Sequence, residues 1–115
     1  MTEANYQSKI IKDIKKDGGI AINGNYTTNG ECDLQCGIPY NGILIYCGIE
    51  VKTESDYHRV MSGIDSEYNV IDVKKLKKHE PLQMAKIRQT RKLGGLALVA
   101  FNYSQVMEYI DANKP

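Results

Sequence analysis

Asp33 stands 17 residues ahead of the triplet Glu50-Val51-Lys52. Two carboxylates brought within a few ångströms of each other do not both stay ionised unaided, so a shared site for them calls for a cation. Asp33 and Glu50 would supply oxygen ligands, and the backbone carbonyl of Val51 a third, a donor set that suits Mg²⁺ or Mn²⁺. An amine at Lys52 would then orient or deprotonate an attacking water while the metal stabilises charge on a phosphate oxygen. Hydrolysis of a phosphodiester is the reaction these parts fit.

Such a site needs neighbouring strands. Ile43, Ile45, Cys47, Ile49 and Val51 alternate with Leu44, Tyr46, Gly48, Glu50 and Lys52, so period-two geometry predicts a strand over 43–52 with Glu50 and Lys52 on one face. A second extended run is predicted over 31–38, with Cys32, Leu34, Cys36 and Ile38 on one side and Asp33, Gln35 and Gly37 on the other. Pro39-Tyr40-Asn41-Gly42 reads as the hairpin turn between them. If both apolar sides meet one core, Asp33 shares a face with Glu50 and Lys52.

The flanking elements follow from periodicity. Tyr6, Ile10 and Ile14 predict a helix over 3–17, with Thr2 as its cap and Gly18-Gly19 as its end. Ile20 to Ile22 forms a short apolar piece before a turn-rich stretch. Residues 53–79 are polar and read as a long connection without regular structure. Pro81 suits the first turn of a helix running to about Leu93, Leu96 to Phe101 is an apolar strand, and Asn102 or Ser104 caps a last helix. The class is α/β: helix, three strands, helix and strand, then a final helix. A mixed central sheet flanked by helices is expected, because the passage from residue 43 to 101 needs a crossover.

The 115 residues suit a single domain, 1–115. No apolar run reaches the roughly 18 residues of a membrane span, and MTEANYQSKI lacks the apolar core of a signal peptide, so no membrane partner and a cytoplasmic location are expected. The net charge of +1 conceals an uneven distribution. Lys74, Lys75, Lys77, Lys78, Lys86, Arg88, Arg91 and Lys92 are set against Glu80 alone, whereas residues 1–73 hold more acids than bases. A solvated face would explain such a run, and so would contact with the phosphates of DNA. Tyr40, Tyr46 and Tyr57 lie near enough to the strands to stack on unpaired bases. Cys32, Cys36, Cys47 and His58 contain the ligand types of a zinc site, but strand parity places all three cysteines in the core. His58 and His79 read as surface residues, and Glu31 as a neighbour that shapes the metal's surroundings.

Asp33 followed by Glu50-Val51-Lys52, with Gln83 and Gly94 after a basic helix, resembles the PD-(D/E)XK nuclease superfamily, and more narrowly its VRR-NUC group. The resemblance runs from about Tyr6 to Phe101. It implies the restriction-endonuclease-like core of a helix, three strands, a helix and a strand. It also implies a metal-dependent DNA endonuclease, with Gln83 beside the site in a supporting role. Stand-alone members resemble viral and bacterial nucleases that dimerise and act on branched DNA. A homodimer, a Holliday-junction-like substrate and a bacterial or virus-encoded origin are therefore implied. Cys32 stands where the superfamily often has proline. The first helix of the family commonly brings a glutamate to the site; here Gln7 is nearest in phase, with Glu3 one turn earlier, which argues against a second metal. Residues 52 to 83 are further apart than the family minimally needs. A catalytically silent DNA-binding module and a restriction-like nuclease are the alternative readings.

Overall fold

A computed structural model describes residues 1–23 and 32–113. Strands β1 (Ile20–Asn23), β2 (Leu34–Tyr40), β3 (Ile43–Val51) and β4 (Leu96–Ala100) form one sheet in that order. The first three are antiparallel neighbours, and β4 runs parallel to β3. Hairpin connection accounts for the antiparallel pairs, and the parallel pair requires the chain to cross over one face. The hairpin turn is confined to Asn41 and Gly42, with φ of 49° and 81°. Positive φ at both central residues matches the right-handed twist of the flanking strands, and Asn-Gly tolerates it.

Helix α1 (Glu3–Lys16) begins where the Thr2 hydroxyl accepts from the Asn5 N–H at 3.3 Å, and it ends at Gly18, whose φ is +88°. With α4 (Tyr103–Asn113) it covers one face of the sheet. Ile10, Ile14, Val106 and Ile110 bury against Leu34, Cys36, Ile38, Cys47, Ile49 and Val51. The α4 cap is Asn102, whose Oδ1 accepts from the Gln105 N–H at 2.9 Å.

The opposite face is covered within the crossover, and here the structure corrects the sequence reading. Residues 53–79 are not an irregular connection: they contain α2 (Glu54–Ser62) and a one-turn 3₁₀ helix (Val73–Lys75). Thr53 caps α2, its hydroxyl accepting from the Asp56 N–H at 3.2 Å. Val60 and Ile64 then join Met84 and Ile87 of α3 (Glu80–Lys92) in a second core with Ala97 and Val99. No helix among the described residues is long and apolar enough to cross a membrane.

Strand β2 begins at Leu34, three residues later than the predicted run, and this breaks the parity assigned to Cys32. Cys36 and Cys47 face α1 and α4, whereas Cys32 packs with Val60 and Met84 on the opposite side. Gly48 makes room for it: a Cβ there would lie 3.2 Å from the Cys32 sulfur. All three cysteines are outside any disulfide, and burial pushes the Cys36 and Cys47 thiols up to about 12. Glu31 lies outside the described residues.

Candidate active site

Where β2 starts, Asp33 has no strand position of its own. Its Oδ2 instead accepts from the backbone N–H of Val51 at 3.1 Å, taking the place of a strand partner at the last residue of β3. In an extended strand the N–H and C=O of one residue leave along the same edge, so the Val51 carbonyl also lies on the Asp33 side. Asp33 also lies near enough to Glu50 to raise its carboxyl, through side-chain hydrogen bonding to the protonated form and through its charge. The two acids therefore come together although Asp33 lies outside the strand, where its place is set by the Val51 N–H and not by strand parity.

Glu50 is 2% exposed, and its Oε1 is buried without a hydrogen-bond partner. Burial raises its carboxyl from an ordinary 4.5 to about 10, with the Asp33 hydrogen bond and charge adding to the rise; Lys52 acts weakly in the opposite direction. A buried acceptor with nothing to accept is costly, and natural interiors tolerate few of them. A cation bound between the two carboxylates would relieve both the orphaned oxygen and the mutual repulsion. Among the described residues no group of three His, Cys, Asp or Glu side chains forms a closed cage. Two carboxylates and a carbonyl nevertheless fit a hard divalent cation, because such an ion can keep water and take its remaining ligands from substrate phosphates.

Lys52 follows β3 on the Glu50 face and is 4% exposed. Its Nζ donates to Glu80 Oε2 at 3.0 Å and to Gln83 Oε1 at 3.1 Å. Both acceptors lie in the first turn of α3, one helical turn apart, so the start of this helix is the part that reaches the end of β3. Glu80 is fully buried and also receives both terminal nitrogens of Arg59, at 2.7 and 2.9 Å. Burial disfavours its charged form, but the bonds from Arg59, the Lys77 N–H and Lys52 outweigh that and hold the carboxyl down to about 2. Glu80 and Arg59 were not singled out from the sequence. The sequence signal for Glu80 is a lone acid inside a basic run; Arg59 has none, because its role depends on α2, whose pattern the polar residues of 53–79 conceal.

From α1, Glu3 acts electrostatically on Glu50, and its own carboxyl is raised by burial and then by the charge of Asp33. The first helix thus carries a glutamate close to the acids one turn before Gln7, whose Nε2 is buried without a partner.

The basic residues divide. Lys74, Lys75, Lys77 and Lys78 are exposed around the 3₁₀ helix leading into Glu80. Lys86, one turn beyond Gln83, lines a cleft of about 320 Å³ with Gln35, Tyr46, Gly48 and Thr90 on the sheet face that bears Glu50. Arg88 and Arg91 point elsewhere: Arg88 donates to the Tyr68 carbonyl at 2.7 Å. Arg91 donates to the Ala97 carbonyl at 2.8 Å and lies between the rings of Tyr68 and Tyr109, 4.5 and 4.6 Å from their centroids. Of the tyrosines, Tyr46 is exposed beside the cleft, Tyr57 packs edge-on against Phe101, and Tyr40 hydrogen-bonds Asp111 of α4 on the other side of the sheet. His58 and His79 are exposed.

A mixed sheet in which the ends of two adjacent strands bring an aspartate, a glutamate and a lysine onto one face, between flanking helices, is the PD-(D/E)XK-like α/β architecture. Comparison with solved structures narrows it. The chain is similar to a structure described as a VRR_NUC domain, with a TM-score of 0.61 and 20% identity, over 96% of this chain and 97% of the other. The likeness establishes a VRR-NUC fold across nearly the whole length. No protein-family model and no curated protein matches the chain.

Proposed function

We propose that the protein is a divalent-metal-dependent endonuclease that hydrolyses DNA phosphodiesters, with branched DNA such as a Holliday junction as its preferred substrate. The observation that carries the proposal is the buried, unpartnered Oε1 of Glu50 beside Asp33, one pleat from an ammonium on the same face. The VRR-NUC fold supports it. Asp33, Glu50 and the Val51 carbonyl would hold Mg²⁺ or Mn²⁺, which when bound supplies Lewis-acid stabilisation of charge on a phosphate oxygen. Lys52 donates a hydrogen bond that orients the attacking water, and Gln83 fixes the direction of that ammonium. Lys74, Lys75, Lys77, Lys78 and Lys86 surround this face and contact the phosphate backbone; Arg88 and Arg91 contribute to the field more than to direct contact, because both guanidinium groups are engaged with carbonyls. Two cuts in a four-way junction need two sites, so the functional unit is a symmetric homodimer in the cytoplasm.

The test is a cleavage assay on linear, flapped and four-way DNA with Mg²⁺, with Mn²⁺ and with EDTA, alongside Lys52→Ala. Metal-dependent cutting that is abolished by Lys52→Ala with DNA binding retained is the expected result. Salt-sensitive binding without any cleavage would identify a silent DNA-binding module instead.

A further inference from the structure

Four donors converge on the carboxylate of Glu80: Lys52 Nζ at 3.0 Å, Arg59 Nη1 at 2.7 Å, Arg59 Nη2 at 2.9 Å and the Lys77 backbone N–H at 2.6 Å. One side chain therefore ties together the end of β3, the middle of α2 and the start of α3. An ammonium has three N–H donors in tetrahedral directions. Two of those on Lys52 are taken by Glu80 and Gln83, which fixes Nζ and leaves the third directed by the other two.

The charges have a corresponding logic. Arg59 grips Glu80 with both terminal nitrogens, so its charge already compensates the carboxylate, and Lys52 shares Oε2 with Arg59 Nη2. The three groups together carry one positive charge. Glu80 and Lys52 without Arg59 would be a closed neutral pair, and the ammonium would have little net attraction left for a phosphate or a polarised water. Asp56 meets Arg59 only at 3.5 Å and from a partly exposed position, where water screens it. Arg59 is further anchored by the Lys75 carbonyl at 2.7 Å.

We infer that Glu80 and Arg59 are positioning residues for Lys52: Glu80 fixes where the ammonium sits, and Arg59 neutralises Glu80 so that the charge of Lys52 remains available to the reacting group. The inference rests on the nuclease reading for its kinetic consequences, but the seating of the ammonium is measurable without cleavage. A buried ion network kept only for stability would affect folding and nothing else.

The experiment has a spectroscopic arm and a kinetic arm. In the wild-type protein Lys52 gives a protected ε-ammonium ¹H–¹⁵N signal, assigned by its disappearance in Lys52→Ala. In Glu80→Gln that signal is lost while the backbone amide spectrum stays native. In DNA cleavage, kcat of Glu80→Gln falls about a hundredfold with KM for DNA within about twofold, the pattern of a misplaced catalytic group. Arg59→Met lowers kcat less, and Arg59→Lys restores part of the loss. A folded Glu80→Gln with wild-type kcat overturns the inference. If Glu80→Gln does not fold, an Arg59→Met protein with wild-type kcat overturns it instead. Failure of the nuclease reading looks different: wild-type protein that never cuts DNA, or Lys52→Ala that cuts at full rate, refutes that reading, while the ammonium signal still decides whether Glu80 seats Lys52.

Discussion

Replacing Glu50 with glutamine should make the metal-free protein more stable, by an amount that grows with pH. In the folded chain burial, reinforced by Asp33, raises the Glu50 carboxyl to about 10, against an ordinary 4.5. Between those values the folded state holds a proton that the unfolded state has released, so stability falls as pH rises through the window. At pH 7 the cost is roughly 3 kcal/mol, from about 1.4 kcal/mol for each pH unit above the unfolded value. Glutamine keeps the size of the side chain and can still donate to Asp33, as the protonated acid does, but it has no charge to desolvate. Thermal melts in EDTA at pH 5, 7 and 9 measure the gap. Wild type and Glu50→Gln should melt together near pH 5 and separate by roughly 10 °C at pH 7. Mn²⁺ should then raise the wild-type midpoint and leave the variant unmoved, because a bound cation requires the ionised carboxylate. A gap that does not change with pH, or a variant less stable throughout, would refute the account of Glu50 as a desolvated acid awaiting a cation.

The stability that Glu80 contributes is present above about 4.5 and is lost as pH falls towards about 2, so unfolding followed from pH 5 to 2 should show a loss that Glu80→Gln lacks. Ile49→Ala, at a fully buried position between the sheet and α1, should cost about 3 kcal/mol in denaturant unfolding. Arg91→Met should lower stability by about 1–2 kcal/mol through the lost ring stacking and carbonyl bond, and should change DNA affinity less than it changes the melt. Changing Lys74, Lys75, Lys77 and Lys78 to alanine should reduce the slope of log binding constant against log salt by about 0.9 for each lysine that touches a phosphate.

The crossover marks the limit of what periodicity conveyed. Thr53 with Asp56 three residues on is a capping pattern, and Tyr57, Val60, Met61 and Ile64 have helical spacing. Polar residues between them hid the stripe, since α2 shows the core only a narrow face with Val60 as its fully buried residue. Without α2 the sequence gives Arg59 no place near Glu80, although Arg59 is the partner that makes a buried Glu80 tolerable. Cys32 was misplaced for a different reason: parity holds only while the chain stays extended, and Asp33 bends before β2 begins.

The alternation of β3 fixed by itself that Glu50 and Lys52 share a face, because a pleated strand allows no other arrangement. The helix over Tyr6, Ile10 and Ile14, the Asn-Gly turn and the apolar strand Leu96–Ala100 were likewise local matters of spacing and conformational preference. Only the tertiary structure decided that Asp33 would bond the Val51 N–H, that Glu50 would be left with a buried, unanswered oxygen, and that Lys52 would be held by Glu80 and Gln83. Those depend on burial and on contacts between residues 18 to 31 positions apart, quantities that do not exist until the strands and helices close on one another.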